Sequence, residues 1–221
     1  MLQRILETEA MDSVLEAEEY DAMDDGGVNE RFAEDFIAAG ATADWTLDLG
    51  TGTALIPLVL CGHLAGVRVV AVDYAGEMLR VARRNILQRG AGDRIVLVHA
   101  DAKRLPFPDG SFSQVMSNSI VHHLAEPELV FREAWRVLRP GGLVFFRDLF
   151  RPPDAATLHD LVERYAGSGT PQQKKMFADS LHASLTVEEV RGIVASCGWN
   201  SGRVQATSDR HWTWIARKPA A

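Results

Sequence analysis

Leu47-Asp48-Leu49-Gly50-Thr51-Gly52-Thr53-Ala54-Leu55-Ile56-Pro57-Leu58 is an apolar run that ends in an acidic residue, turns through Gly-x-Gly and opens directly into an apolar helix. The glycines let the backbone turn sharply and approach a ligand that a Cβ would exclude. The helix start behind them offers unpaired N–H groups. About twenty residues on, the spacing at which such folds place a ribose-binding carboxylate, a second apolar segment, Val67-Arg68-Val69-Val70-Ala71-Val72, ends in Asp73. The pattern reads as a nucleoside-cofactor site; the plainer alternative is an ordinary strand-to-helix turn.

A dinucleotide site calls for Gly-x-Gly-x-x-Gly or Ala, whose last small residue lets helix and strand pack closely around a pyrophosphate. Here the sixth position is Leu55, and the small residue falls one place early, at Ala54. The resulting Asp-x-Gly-x-Gly-x-Ala resembles the first motif of the class I S-adenosylmethionine-dependent methyltransferases, usually acidic-x-Gly-x-Gly-x-Gly, with Ala54 as a mild departure. Further matches follow in order. Arg94-Ile95-Val96-Leu97-Val98-His99-Ala100 is a third strand, ending in Asp101-Ala102. The turn-rich run Leu105 to Phe112 leads to a fourth strand, Ser113 to Ser117. Leu138-Arg139-Pro140-Gly141-Gly142 reads as closing a helix and starting the fifth strand, Leu143 to Asp148. The resemblance is dense over residues 44–150 and architectural outside them. Within the family, Leu105 to Phe112 with His122-His123 looks closest to the broad group that includes quinone-biosynthesis C-methyltransferases.

The resemblance implies an α/β fold of the Rossmann-like kind: a three-layer sandwich with a seven-stranded, mostly parallel sheet in the order 3-2-1-4-5-7-6 and helices on both faces. It implies S-adenosyl-L-methionine as cofactor, S-adenosyl-L-homocysteine as product and a small-molecule acceptor. It also implies the cofactor site. Asp48 would meet the amino group, with a cap on the turn's N–H groups as a compatible alternative. Gly50, Thr51 and Gly52 form the loop, and Asp73 takes the ribose, with Tyr74 and Met78 following it. Asp101 would bond the adenine amino group and the Ala102 backbone a ring nitrogen. Asn118 would hold the methionine end, and Tyr20 is a lid candidate on the N-terminal helices.

The acceptor side is read from residues after the fourth and fifth strands. His122 and His123 are the candidates for a general base, since imidazole titrates near neutrality. Adjacent in sequence, they are expected to point in different directions, so that one at most reaches the reaction centre; the bland reading packs one under a helix and leaves the other at the surface. No metal site is expected, because two neighbouring histidines lack third and fourth ligands nearby in sequence. Arg147, Asp148, Arg151 and His211 are the substrate-side candidates; an Arg–Asp pair that fixes the loop is the structural alternative. For Trp212 and Trp214 packing is the stronger reading.

Composition is that of one α/β domain. The chain has 221 residues, 47% of them hydrophobic, and a formal net charge of −7. That charge argues against a nucleic-acid partner, which needs a clustered basic surface. Arg80, Arg83, Arg84 and Arg89 share one predicted helix and read as a solvated face. Cys61 and Cys197 lack metal spacing and read as core thiols of a reducing compartment. No segment reaches the length of a membrane span, and the acidic start is unlike a signal peptide; a cytoplasmic location is expected, with a homodimer as the candidate assembly.

The whole chain, 1–221, is expected as a single methyltransferase domain: N-terminal helices or lid at 1–40, cofactor core at 44–150, a substrate cap at 151–185, and the last helix and hairpin at 186–221. Residues 2–19 show an acidic amphipathic pattern with Leu2, Ile5, Leu6, Val14 and Leu15 as its apolar positions, and Gly26-Gly27 breaks the chain before a second helix. Helices are predicted at 154–167, 171–183 and 186–197, and a hairpin turns at Ser208-Asp209. Two other classes of function are carried forward: an NAD-dependent oxidoreductase, against which Leu55 argues, and a non-catalytic cofactor-binding or regulatory protein.

Overall fold

Apolar segments between residues 45 and 149 form strands β1 (Trp45–Leu49), β2 (Arg68–Asp73), β3 (Ile95–His99), β4 (Phe112–Asn118) and β5 (Leu138–Leu149). Their near-continuous apolar composition suits strands covered on both faces, as parallel strands usually are. β1 pairs in parallel with β2 and with β4, and β2 with β3. The computed structural model describes residues 2–7, 12–23 and 27–220, apart from the side chain of Ser201. Two strands close the chain, β6 (Val204–Ala206) and β7 (His211–Arg217), paired antiparallel around the expected turn. The sheet order is β3-β2-β1-β4-β5-β7-β6, as anticipated.

The first crossovers run through α3 (Leu55–His63) and α4 (Gly76–Gln88), and α5 (Pro127–Val137) precedes β5. α2 (Val28–Ala38) supplies Phe32 and Phe36, which meet the Phe145 ring edge-on at centroid distances of 5.1 and 5.6 Å. After β5 come α6 (Ala155–Ala166), α7 (Pro171–Ala183) and α8 (Val187–Ser196), close to their predicted bounds. Capping boxes start α7 at Thr170 with Gln173 and α8 at Thr186 with Glu189, each satisfying backbone donors that a bare helix start leaves open. Trp212 and Trp214 are fully buried, and Trp214 stacks on Trp199 at 5.5 Å.

Two expectations change locally. Leu138 to Gly142, read as closing a helix and starting the fifth strand, directly follows α5 and belongs to β5 itself, which is longer than Leu143 to Asp148; Gly141 N–H donates to the Lys218 carbonyl at 2.9 Å and Lys218 N–H to the Gly142 carbonyl at 3.0 Å, so a backbone partner keeps the segment extended. At the N-terminus, residues 2–7 are not helical, and α1 covers only Val14–Asp21. Ile5, Leu6, Val14 and Leu15 are exposed, and Ala17 is the buried residue of α1. The apolar count misled there because the helix is seated mainly by charge. Gly26, half of the expected chain break, lies outside the described residues, whereas Gly27 adopts φ +79° at the start of α2.

The chain folds as two compact units interleaved in sequence. One comprises Met1–Glu9, Ser119–Glu128 and Arg147–Trp214; the other comprises Ala10–Asn118, Leu129–Phe146 and Ile215–Ala221. The second holds the larger core, built around Phe32, Phe36, Leu60, Met116 and Phe145, and the first a smaller one of Leu149, Leu161, Val162 and Leu181.

Candidate active site

The glycine loop is fastened by the end of β2. Gly50 and Thr51 N–H groups both donate to the Val72 carbonyl at 2.9 Å, and Gly52 N–H donates to Asp73 Oδ2 at 2.7 Å. Asp73 Oδ1 accepts from Ala75 N–H at 2.9 Å. Each carboxylate oxygen retains a lone pair beyond these bonds, so Asp73 can shape the loop and still accept from a ribose. Gly50 and Gly52 have φ of 71° and 54°, and Ala54, the departure from the glycine pattern, also sits left-handed at 63°. That conformation costs an L-residue about 1 kcal/mol, which explains the usual glycine. A Cβ on Gly52 would lie 3.4 Å from Cε1 of Tyr20, so the Tyr20 ring leans over the loop.

Asp48, at the buried end of β1, is pushed up to about 7, chiefly by burial, with the Asp73 charge adding and the Thr51 hydroxyl opposing. The capping alternative is not what the structure shows, because the loop amides of Gly50, Thr51 and Gly52 are taken by Val72 and Asp73. Burial also raises Asp73, against bonds from the Ala75, Gly52 and Tyr74 amides. Two neighbouring buried carboxylates favour a cationic ligand.

The remaining cofactor candidates divide. Asp101 Oδ1 accepts from Lys103 N–H at 2.8 Å and its side chain is partly open. Tyr74 is exposed, its carbonyl bonded by His99 Nε2 at 2.7 Å. Met78 is buried with Ala17, Ala75 and Val81. The arginines of α4 also differ from a plain solvated face. Arg80 and Arg84 bind Glu18 at 2.9 and 2.7 Å, and Arg84 binds Asp21 at 2.7 Å. Asn85 Nδ2 donates to Asp21 at 2.7 Å and to the Thr53 carbonyl at 3.1 Å, tying α1 to the end of the glycine loop.

In the other unit a 3-10 turn, Val121–His123, follows Ser119, whose φ of 60° is left-handed. His122 is buried; its Nδ1 lies 2.6 Å from Asp148 Oδ1, and its N–H donates to Asp148 Oδ2 at 3.1 Å. Burial alone would lower the His122 pKa, but the Asp148 carboxylate and Glu7 outweigh it and raise it. Burial would raise Asp148, yet the His122 charge and bond, with the Leu149 and His122 amides, hold it below the usual range. Contrary to expectation, both histidines face one group: Glu7 Oε1 is 3.3 Å from His122 Nε2 and 3.2 Å from His123 Nδ1. The tight turn sets the two rings 4.1 Å apart, tilted by 34°.

The substrate-side arginines have structural partners. Arg151 is buried and donates to the Ser184 carbonyl at 3.0 Å and to Glu189 at 2.8 Å, which fixes the start of α8. Arg147, also buried, donates to Thr213 Oγ1 at 3.1 Å. His211 bonds Ser208 Oγ at 2.9 Å and is lowered to about 4 by burial, with Arg210 and Arg147 adding. Sequence reading missed Glu7 and Arg4. Arg4 donates to the carbonyls of Ala183 at 2.6 Å and Leu124 at 2.9 Å, holding the Glu7 segment in place. It also missed Arg136, which donates to the Phe107 carbonyl and to Asp109, both at 2.8 Å, bracing the turn-rich run before β4. Neither arginine carries a local motif.

The methyltransferase-domain family matches residues 47–146. A demethylmenaquinone methyltransferase of Thermus thermophilus is 40% identical over 163 residues, covering 70% of this chain and 73% of that protein. A ubiquinone/menaquinone biosynthesis C-methyltransferase of Hahella chejuensis is 33% identical over 160 residues, covering 70% of this chain and 61% of its own length. Among solved structures, a putative S-adenosyl-L-methionine-dependent methyltransferase of Methanococcus maripaludis superposes with a TM-score of 0.72 at 19% identity, covering 98% of both chains, which speaks for the fold. Sheet order, glycine loop and strand-end carboxylate define a Rossmann-like nucleoside-cofactor enzyme. This chain belongs to the class I S-adenosylmethionine-dependent methyltransferases.

Its cofactor is therefore S-adenosylmethionine, and the residues present fit it. Thr53 Oγ1 and Asn118 Oδ1 are buried without a hydrogen-bond partner, and Asp48 and Asp73 suit a ligand that carries positive charge and hydroxyl donors.

Proposed function

We propose that the enzyme methylates a small hydroxylated aromatic acceptor of the quinol type. The observation that carries this reading is the 40% identity to a demethylmenaquinone methyltransferase over most of both chains. When bound, the cofactor supplies a methyl group already activated by a sulfonium, so the chain's own residues need only hold, align and deprotonate. Asp73 would hold the ribose, Asp101 and the Ala102 amide the adenine, and Asp48 with Asn118 the methionine end. Gly50, Thr51 and Gly52 give the close approach, and Tyr20 on α1 serves as a lid. His122, oriented by Asp148, or His123 would take the acceptor hydroxyl's proton. Arg147 and His211 are assigned to the acceptor, Arg151 to positioning α8, and residues 151–185 to a cap over the acceptor.

Two measurements test the reading. Titration calorimetry should give micromolar S-adenosylhomocysteine binding, roughly −8 kcal/mol, with NAD and NADP far weaker. Incubation with a reduced demethylated quinone and S-adenosylmethionine should release S-adenosylhomocysteine and a ring-methylated product. Release with other hydroxylated acceptors but none with the quinol would remove the quinol assignment and leave methyl transfer standing.

A further inference from the structure

We propose that Glu7, His122 and His123 bind a divalent transition-metal ion, zinc in the first instance. The donor atoms Glu7 Oε1, His122 Nε2 and His123 Nδ1 all lie within 4.8 Å of one another. Ligands about 2.0–2.1 Å from a tetrahedral ion stand about 3.3 Å from each other. The two separations from Glu7 Oε1, 3.3 and 3.2 Å, match that edge.

The tautomer follows from the partners. Asp148 accepts at His122 Nδ1, so that nitrogen keeps its proton, and Nε2, which faces Glu7, is the one that would give up a proton to bind an ion. A carboxylate behind a ligating imidazole is the usual outer support of a metal site, fixing the ring and raising its basicity. A proton on each ring nitrogen satisfies the two contacts with Glu7 as ion pairs in the metal-free protein. One divalent ion in place of those protons would serve all three donors at once.

The third ligand is held as firmly as the other two. Arg4 donates to the carbonyls of Ala183, Leu124 and His122, Ile5 N–H donates to the His182 carbonyl at 3.2 Å, and Ser180 Oγ donates to Glu7 Oε1 at 3.2 Å. A cavity of about 460 Å³, lined by Ile5, Leu6, Glu7, Asp179 and His182, gives an ion access to the carboxylate. Two imidazoles and one carboxylate suit zinc or ferrous iron and are too nitrogen-rich for magnesium or calcium. Three protein ligands leave a tetrahedral ion one open position for water or another oxygen donor. The inference stands apart from the quinol reading, because its test reads metal binding alone. With an ion bound the two imidazoles are ligands, so the base role proposed for His122 or His123 belongs to the metal-free protein.

The test uses untagged full-length protein stripped with a chelator. Cobalt should give the intense visible bands of a tetrahedral site at one equivalent, and zinc should bleach them. Zinc should bind with a submicromolar Kd and raise Tm by several degrees. Glu7→Gln and His123→Asn should each cut zinc affinity by about 100-fold while leaving the Tm of the metal-free protein close to that of the parent. Absence of cobalt bands in the parent overturns the proposal, whatever the variants do. So does zinc binding of equal strength in the parent and both variants, which would place the ion elsewhere.

Discussion

The glycine loop and the histidine turn both meet buried carboxylates, but they are built in opposite ways. The loop is a backbone device: Gly50, Thr51 and Gly52 reach across to Val72 and Asp73, and the parts that matter fall within residues 47–75. The turn is a side-chain device, assembled from Glu7, His122, His123 and Asp148. The first is specified by dihedral angles and strand pairing, which leave a pattern in sequence. The second depends on which distant segment arrives opposite the turn, and no local pattern records that.

The side-chain device should be the more fragile. Asp148→Ala leaves His122 buried without its carboxylate, and removing one partner of such a pair costs about 3–5 kcal/mol. The pH course follows from the two shifts. His122 is raised, so its contribution is full below about 6.5 and fades as pH climbs through its folded value. Asp148 is lowered, so its contribution is full above about 3.9 and fades as pH falls through its folded value. Urea unfolding from pH 3 to 9 should show a stability maximum between those limits in the parent and a flattened curve in the variant. Equal curves would mean that the pair contributes nothing.

The backbone device should lose ligand rather than fold. Asp73→Ala removes acceptors for Gly52 and Ala75 as well as the proposed ribose contact, and should cost about 1.5–3 kcal/mol of S-adenosylhomocysteine affinity, the range for hydrogen bonds to a charged group. Asp101→Ala should cost less, because the Ala102 amide remains. Calorimetry that finds parental affinity in Asp73→Ala would falsify the ribose assignment.

Asp48 should show the smallest effect and separate ligand from fold most cleanly. Its folded value of about 7 lies above the ordinary carboxylate value. The ionised form therefore costs stability, by an amount that grows as pH rises from about 3.9 to about 7 and then levels. Asp48→Asn should stabilise the free protein at pH 8 and leave it unchanged at pH 4, while weakening the cofactor about tenfold, near 1.4 kcal/mol. A variant that gains stability yet binds as well as the parent would move the amino-group contact to another residue.

The N-terminus follows the same division. Leu2, Ile5, Leu6, Val14 and Leu15 read as an amphipathic pattern through position 19, because apolar spacing is what a sequence displays. What seats α1 is Glu18 and Asp21 against Arg84 and Asn85, across more than sixty positions of chain. Charges on separate helices read as two solvated faces until the fold brings them together.

The sequence by itself determined the glycine loop with Asp73 and the helices of the C-terminal half, because each rests on contacts close in the chain or on a repeating apolar period, and its motifs carried the family and, through that resemblance, the strand order. Tertiary structure alone decided that Glu7 meets both histidines, that Asp148 orients one of them and that Arg151 belongs to Ser184 and Glu189. Such pairings are fixed by where packed elements place side chains in space, and sequence separation carries no information about that distance.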